Sequence, residues 1–213
     1  KDNHYWDLAT QYTRRSRKVD RRPFALHACT LHHPDAPTFR ALDCDWRLAL
    51  YVRNAHDATA ALTSSLLLTR SGRANGASVL AQAPASCRVG HLRTNDEALA
   101  IATRAADAIP AATALLMAWS QEPARRTAAE VQEAALSWRF GAVVDHDGVP
   151  VKPTYSGAWQ IDIRTRLDEY VAAASLAMQG GYYLTSSKRV CRDVKNVLAR
   201  ETLMAQAWSW MQA

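Results

Sequence analysis

The stretch from Leu48 to Gly76, LALYVRNAHDATAALTSSLLLTRSGRANG, constrains the fold more than any other. It holds an apolar run, the polar cluster Arg53-Asn54-Ala55-His56-Asp57, a second apolar run and a glycine-bearing turn. Trp46 to Val52 is rich in aromatic and aliphatic residues and reads as a strand. Thr59 to Thr69 reads as its antiparallel partner. Asn54 to Ala58 turns between them, because Asn and Asp side chains bond local backbone groups at such corners. Ser71 to Gly76 closes the unit as a further turn. Upstream, Phe24 to Leu31 alternates well enough for a strand, and three prolines disfavour helices in residues 23–45. Ser78 to Gln82 and Ser86 to Val89 add short strands.

From Asn95 the texture changes. Asp96 to Gln121 is rich in Ala and Leu, with Leu99, Ala102, Ala106, Ile109 and Thr113 at helical spacing and Asn95 placed to cap it. Pro110 should kink or split that helix. Thr127 with Glu130 three residues on forms a capping-box pattern, opening a helix that runs to about Phe140. Gly141 to Pro153 reads as a hairpin around Asp147-Gly148. Ile163 to Gln179 reads as a helix stopped by Gly180-Gly181. Tyr182 to Leu184 is extended. Ser186 or Ser187 opens a last helix reaching Met211, with Val190, Val194, Val197, Leu198 and Met204 as its apolar face and Trp208 and Trp210 docked in the core. The class is therefore α+β, with a strand-rich N-terminal part followed by a mainly helical C-terminal part. Residues 1–22 read as a basic arm and residues 23–213 as a single domain.

The chain has 213 residues, 48% hydrophobic and 22% charged, enough for a packed core. No apolar run approaches the roughly 18 residues of a membrane span, and KDNHYWD is not a signal peptide, so no membrane partner is expected. Cysteines at 29, 44, 87 and 191 form no CxxC pair, which fits reduced thiols in a cytosolic protein.

The net charge of +6 is unevenly placed. In Thr13 to Arg22, Arg14, Arg15, Arg17, Lys18, Arg21 and Arg22 stand against Asp20 alone. In Lys188 to Glu201, Lys188, Arg189, Arg192, Lys195 and Arg200 stand against Asp193 and Glu201. Gathered cations attract polyanions and gain affinity by counterion release. Tyr5, Trp6 and Tyr12 interleave with the first cluster, where aromatic rings can stack bases while guanidinium groups hold phosphates.

Catalytic signatures are missing: there is no GxxxxGK[ST], no GxGxxG after a strand, no HExxH and no GxSxG. His56 with Asp57, His91, and Asp145 with Asp147 are the acid/base candidates, and an enzyme would require His56, Asp57 and His91 to converge. His27, Cys29, His32, His33 and Cys44 are ligand types without a repeated ligand spacing. Asp145, His146 and Asp147 are explained by turn chemistry. The expectation is accordingly no catalysis, no metal and no cofactor.

Arg53-Asn54-Ala55-His56-Asp57-Ala58-Thr59 resembles the RNSHD-x-S element of the phage/plasmid-like protein domain, a family of unknown function found on mobile elements. Arg73-Ala74-Asn75-Gly76, His91-Leu92-Arg93-Thr94 and Trp159 to Glu169 are looser counterparts of its later elements, and the family's Cys before the Asn turn is absent here. The resemblance spans about residues 46–170 and implies a phage or plasmid setting. A second similarity, of Trp138 to Ala142 and Asp145 to Val149 to flexuous plant-virus coat proteins, lacks the Phe and Asp of that motif and is set aside. The expected function is a non-enzymatic nucleic-acid-binding protein of a phage or other mobile element that forms homo-oligomers. The alternative is a coat or assembly subunit whose arm contacts the genome or a neighbour. The expected location is the host cytoplasm or the virion.

Overall fold

The computed structural model describes residues 7–14, 26–32, 36–55, 62–71, 78–81, 100, 103–104, 106–141, 143–144, 150–151, 155–156, 161–179, 182–184 and 189–213. The chain divides into two compact units, residues 1–39 with 45–116 and residues 40–44 with 117–213. Sequence patterning marked no boundary inside 23–213. The division falls within a helix and at a hairpin tip, where no Pro/Gly-rich linker signals it.

The first unit is built on an antiparallel sheet of β1 (Asp7–Arg14), β2 (Leu26–His32), β3 (Thr38–Ala41), β4 (Cys44–Ala55), β5 (Thr63–Arg70) and β6 (Ser78–Leu80). Its order is β1-β2-β4-β5-β6, with β3 also paired to β4. The two apolar runs around RNAHD pair as expected, from Trp46 opposite Arg70 to Arg53 opposite Thr63. Asp7–Arg14, inside the stretch read as an arm, pairs with β2 from Asp7↔His32 to Arg14↔Leu26. Of the turns expected at Asn54 to Ala58 and Ser71 to Gly76, residues 56–58 and 72–76 lie outside the described residues, as does the strand expected at Ser86 to Val89.

Register sorts the sheet into two faces, because paired residues share a face and neighbours along a strand alternate. Leu31, Leu50 and Leu66 align on one face, with Leu48, Leu68 and Val79 beside them. The opposite face carries Thr30, Tyr51 and Ser65 in line, flanked by Ala28 with Arg53 and by Arg47 with Thr69. Both faces of β5 are covered: Ser64 through Thr69 are all buried.

Four helices lie among the described residues: α1 (Ile109–Gln121), α2 (Ala128–Phe140), α3 (Arg166–Met178) and α4 (Val197–Gln212). None is long and apolar enough to cross a membrane. Pro110 sits in the first turn of α1, after a turn at Ala108, so the helical stretch is split where the missing N–H does no harm. Two-stranded β7–β8 (Val143–Val144 with Pro150–Val151) supplies the expected hairpin. The turn expected at Asp147-Gly148 lies outside the described residues.

The second unit is centred on α3, whose residues Leu167 to Met178 are all buried. Its Ala-rich face lets α2 and α4 approach closely. Trp119, Tyr170 and Trp208 form an aromatic cluster with ring centroids 5.4, 5.5 and 5.8 Å apart. Trp208 is thus in the core as expected, whereas half-buried Trp210 lies edge-on to Trp138 and under the Arg126 guanidinium, 4.0 Å from its ring centroid.

The last helix differs from the sequence reading. Arg189–Cys191 is a strand, β11, paired with β10 (Tyr182–Leu184), which also pairs β9 (Tyr155–Ser156). Helix α4 then starts after Asn196, whose side chain accepts the Ala199 N–H at 3.2 Å. Pairing with β10 satisfies the backbone of 189–191, so the N-cap moves from Ser186 or Ser187 to Asn196. The buried face of α4 becomes Leu203, Met204, Ala207, Trp208 and Met211, while Leu198 is exposed.

Charged groups join the α1–α2 connection to the start of α3. Glu169 is fully buried and accepts the Arg125 N–H at 2.9 Å and Arg126 Nη1 at 2.6 Å. Arg166 pairs with Glu122 at 3.1 Å and donates to the Met211 carbonyl at 2.8 Å. Asp168 caps α3, accepting the Thr165 N–H and hydroxyl, each at 2.9 Å, and the Leu42 N–H at 2.7 Å. Leu42 and Asp43 hold left-handed φ angles of 49° and 55° at the two-residue tip of the β3–β4 hairpin, the type I′ pattern.

Removing Arg126 strands the Glu169 charge. Arg126→Met should lower unfolding free energy by about 3 kcal/mol, while Arg126→Met with Glu169→Leu should recover most of it; urea titration of both variants checks this. At the α2 capping box, hydrogen bonds from the Thr127 backbone and hydroxyl, then the Arg126 charge, hold Glu130 below the usual carboxylate range. A depressed folded pKa stabilises fully above the unfolded value and is lost as pH falls through the folded one. Glu130→Gln should therefore flatten the acid limb of stability against pH, read by thermal unfolding across the acid range.

Candidate nucleic-acid interface

The expected interface residues are placed unevenly. Arg14 ends β1, opposite Leu26. Arg15, Arg17, Lys18, Arg21, Arg22 and Lys188, with the aromatics Tyr5 and Trp6, lie outside the described residues. Tyr12 is on β1, opposite Ala28. Arg189 is on β11, opposite Leu184. Arg192 and Lys195 are exposed in the connection from β11 to α4.

That connection is held by its backbone. The Val194 N–H donates to the Met178 carbonyl at 2.8 Å, and the Arg139 guanidinium donates to the carbonyls of Gln179 and Arg192. Pinning the main chain against the end of α3 leaves the Arg192 and Lys195 side chains in solvent on a short, anchored segment. Expected to lie on a basic helix, these two cations instead precede α4, and of the cluster only the half-buried Arg200 is on it. The reason is the shifted N-cap described above.

Other arginines are committed to the fold. Arg126 and Arg166 engage Glu169 and Glu122, and each also donates to a carbonyl near the end of α4. Cations there complement the negative end of the helix dipole. Exposed Arg125 pairs with Glu122 at 3.4 Å. Exposed Arg164 pairs with Asp162 at 2.6 Å, and that hydrogen bond followed by the Asp162 charge raises its already high pKa. Such exposed pairs add little stability, but they neutralise charge locally.

Sequence reasoning missed the polar face of the sheet. The alternation Arg47-Leu48-Ala49-Leu50-Tyr51-Val52-Arg53 already placed Arg47, Tyr51 and Arg53 on one side of a strand. Tertiary structure adds Thr30, His32, Ser65 and Thr69 to that side. Small Ala49 between the flanking strands lets His32 Nε2 reach Thr69 Oγ1 at 2.7 Å, and the Thr69 hydroxyl donates to the Arg47 carbonyl at 3.3 Å. Arg53, Thr30, Ser65 and Thr69 are buried and His32, Arg47 and Tyr51 are half-buried, so much of this polar face is withdrawn from solvent.

The acid/base candidates His56, Asp57, His91, Asp145, His146 and Asp147 lie outside the described residues, as does His33. Among the described residues no three His, Cys, Asp or Glu side chains converge as metal ligands. Cys29 and Cys44 are free thiols, and burial pushes the Cys29 thiol up from its usual range. Comparison with known protein families, curated proteins and solved structures finds no match to this chain.

Because the thiolate is the reactive form, Cys29 should be alkylated by iodoacetamide more slowly than free cysteine at mildly alkaline pH. Peptide mapping by mass spectrometry reads the rate, and equal rates would contradict the burial effect.

Proposed function

We propose that this protein binds nucleic acid without catalysing a reaction on it, in a phage or other mobile-element setting, and that it self-associates. The observation that carries this reading is the separation between two kinds of cation. Mid-chain arginines are engaged by the carboxylates of Glu122, Asp162 and Glu169, whereas Arg192 and Lys195 are exposed on an anchored segment. They belong to one of two cationic clusters in the sequence, the other being Arg14, Arg15, Arg17, Lys18, Arg21 and Arg22. Cations held in solvent release counterions from a phosphate backbone on binding, and contacts of that kind are largely indifferent to base sequence. The likeness of Arg53 to Thr59 to an element of the phage/plasmid-like domain supports the setting. Self-association would present several cationic segments to one strand and multiply weak contacts into useful avidity.

Binding should be measured by fluorescence anisotropy on single- and double-stranded DNA and RNA over a range of salt. The expected result is a steep fall of log Kobs with log salt. Arg192→Ser with Lys195→Ser should reduce the slope by roughly two, one for each phosphate that is no longer neutralised. Arg164→Ser, which removes a cation already paired with Asp162, should leave the slope nearly unchanged. Binding that is absent, or insensitive to salt, overturns the reading. Sedimentation with and without nucleic acid tests self-association: a monomer under both conditions removes that part, and large regular particles would favour an assembly subunit instead.

A further inference from the structure

No further inference is drawn: the strongest candidate, the uncharged outward stripe of α1 formed by Ala111, Ala114, Met117 and Ala118, is an unpartnered apolar face, and nothing in the structure shows what covers it.

Discussion

A buried carboxylate organises the second unit. Glu169 has no contact with solvent, so its charge is tolerable only because Arg126 and the Arg125 N–H meet both oxygens. Its position near the start of α3 adds the favourable end of that helix's dipole. Asp168 beside it satisfies backbone donors at the same helix start, including one from the hairpin tip at Leu42. Two neighbouring acids therefore tie two separate stretches of chain, at Leu42 and at Arg125–Arg126, to one helix end. Backbone hydrogen bonds reinforce the join, with the Ala124 N–H on the Arg164 carbonyl and the Arg166 N–H on the Glu122 carbonyl. An apolar pair of similar volume would bury as much surface, but it would lack the directional demand that sets this register.

This arrangement also sorts the protein's positive charge. Arg126 and Arg166 bridge the start of α3 to the end of α4, using carboxylates on one side and orphan helix carbonyls on the other. They lie against Trp210 and Trp119, so their planar groups cover aromatic surface as well. A cation used in this way has little left for an external phosphate. Arg192 and Lys195 differ because the Val194 N–H and the Arg192 carbonyl anchor their segment through its backbone, while the two side chains are exposed. The proposed nucleic-acid contact rests on that difference in use, which net charge by itself does not reveal.

Much of the fold was legible because it depends on local pattern. The alternation around Trp46 to Val52, the apolar run of Leu66 to Leu68 and the capping box at Thr127 and Glu130 all act over a few residues. The last helix was harder to read. Val190, Val194, Val197 and Leu198 mimic an apolar helix face, yet pairing of 189–191 with β10 takes the first of them into a strand. A long-range partner overrides local periodicity in such a case, and the N-cap moves with it. The candidate site was misread for the same reason: Arg189, Arg192 and Lys195 were expected on one helix and stand instead on a strand and its following connection.

The amino-acid sequence by itself determined the class of the fold, the pairing of the two strands around RNAHD, the capped α2 and the gathering of cations in two clusters. These follow from side-chain volume, hydrophobic period and the count of charges, all properties of neighbours along the chain. Only tertiary structure decided which arginines are spent inside. Pairing of Arg126 with Glu169 and of Arg166 with Glu122 crosses more than forty positions. It also decided that much of the hydroxyl-rich face holding Arg53 is withdrawn from solvent, because exposure depends on what packs above a strand and not on the strand's own alternation.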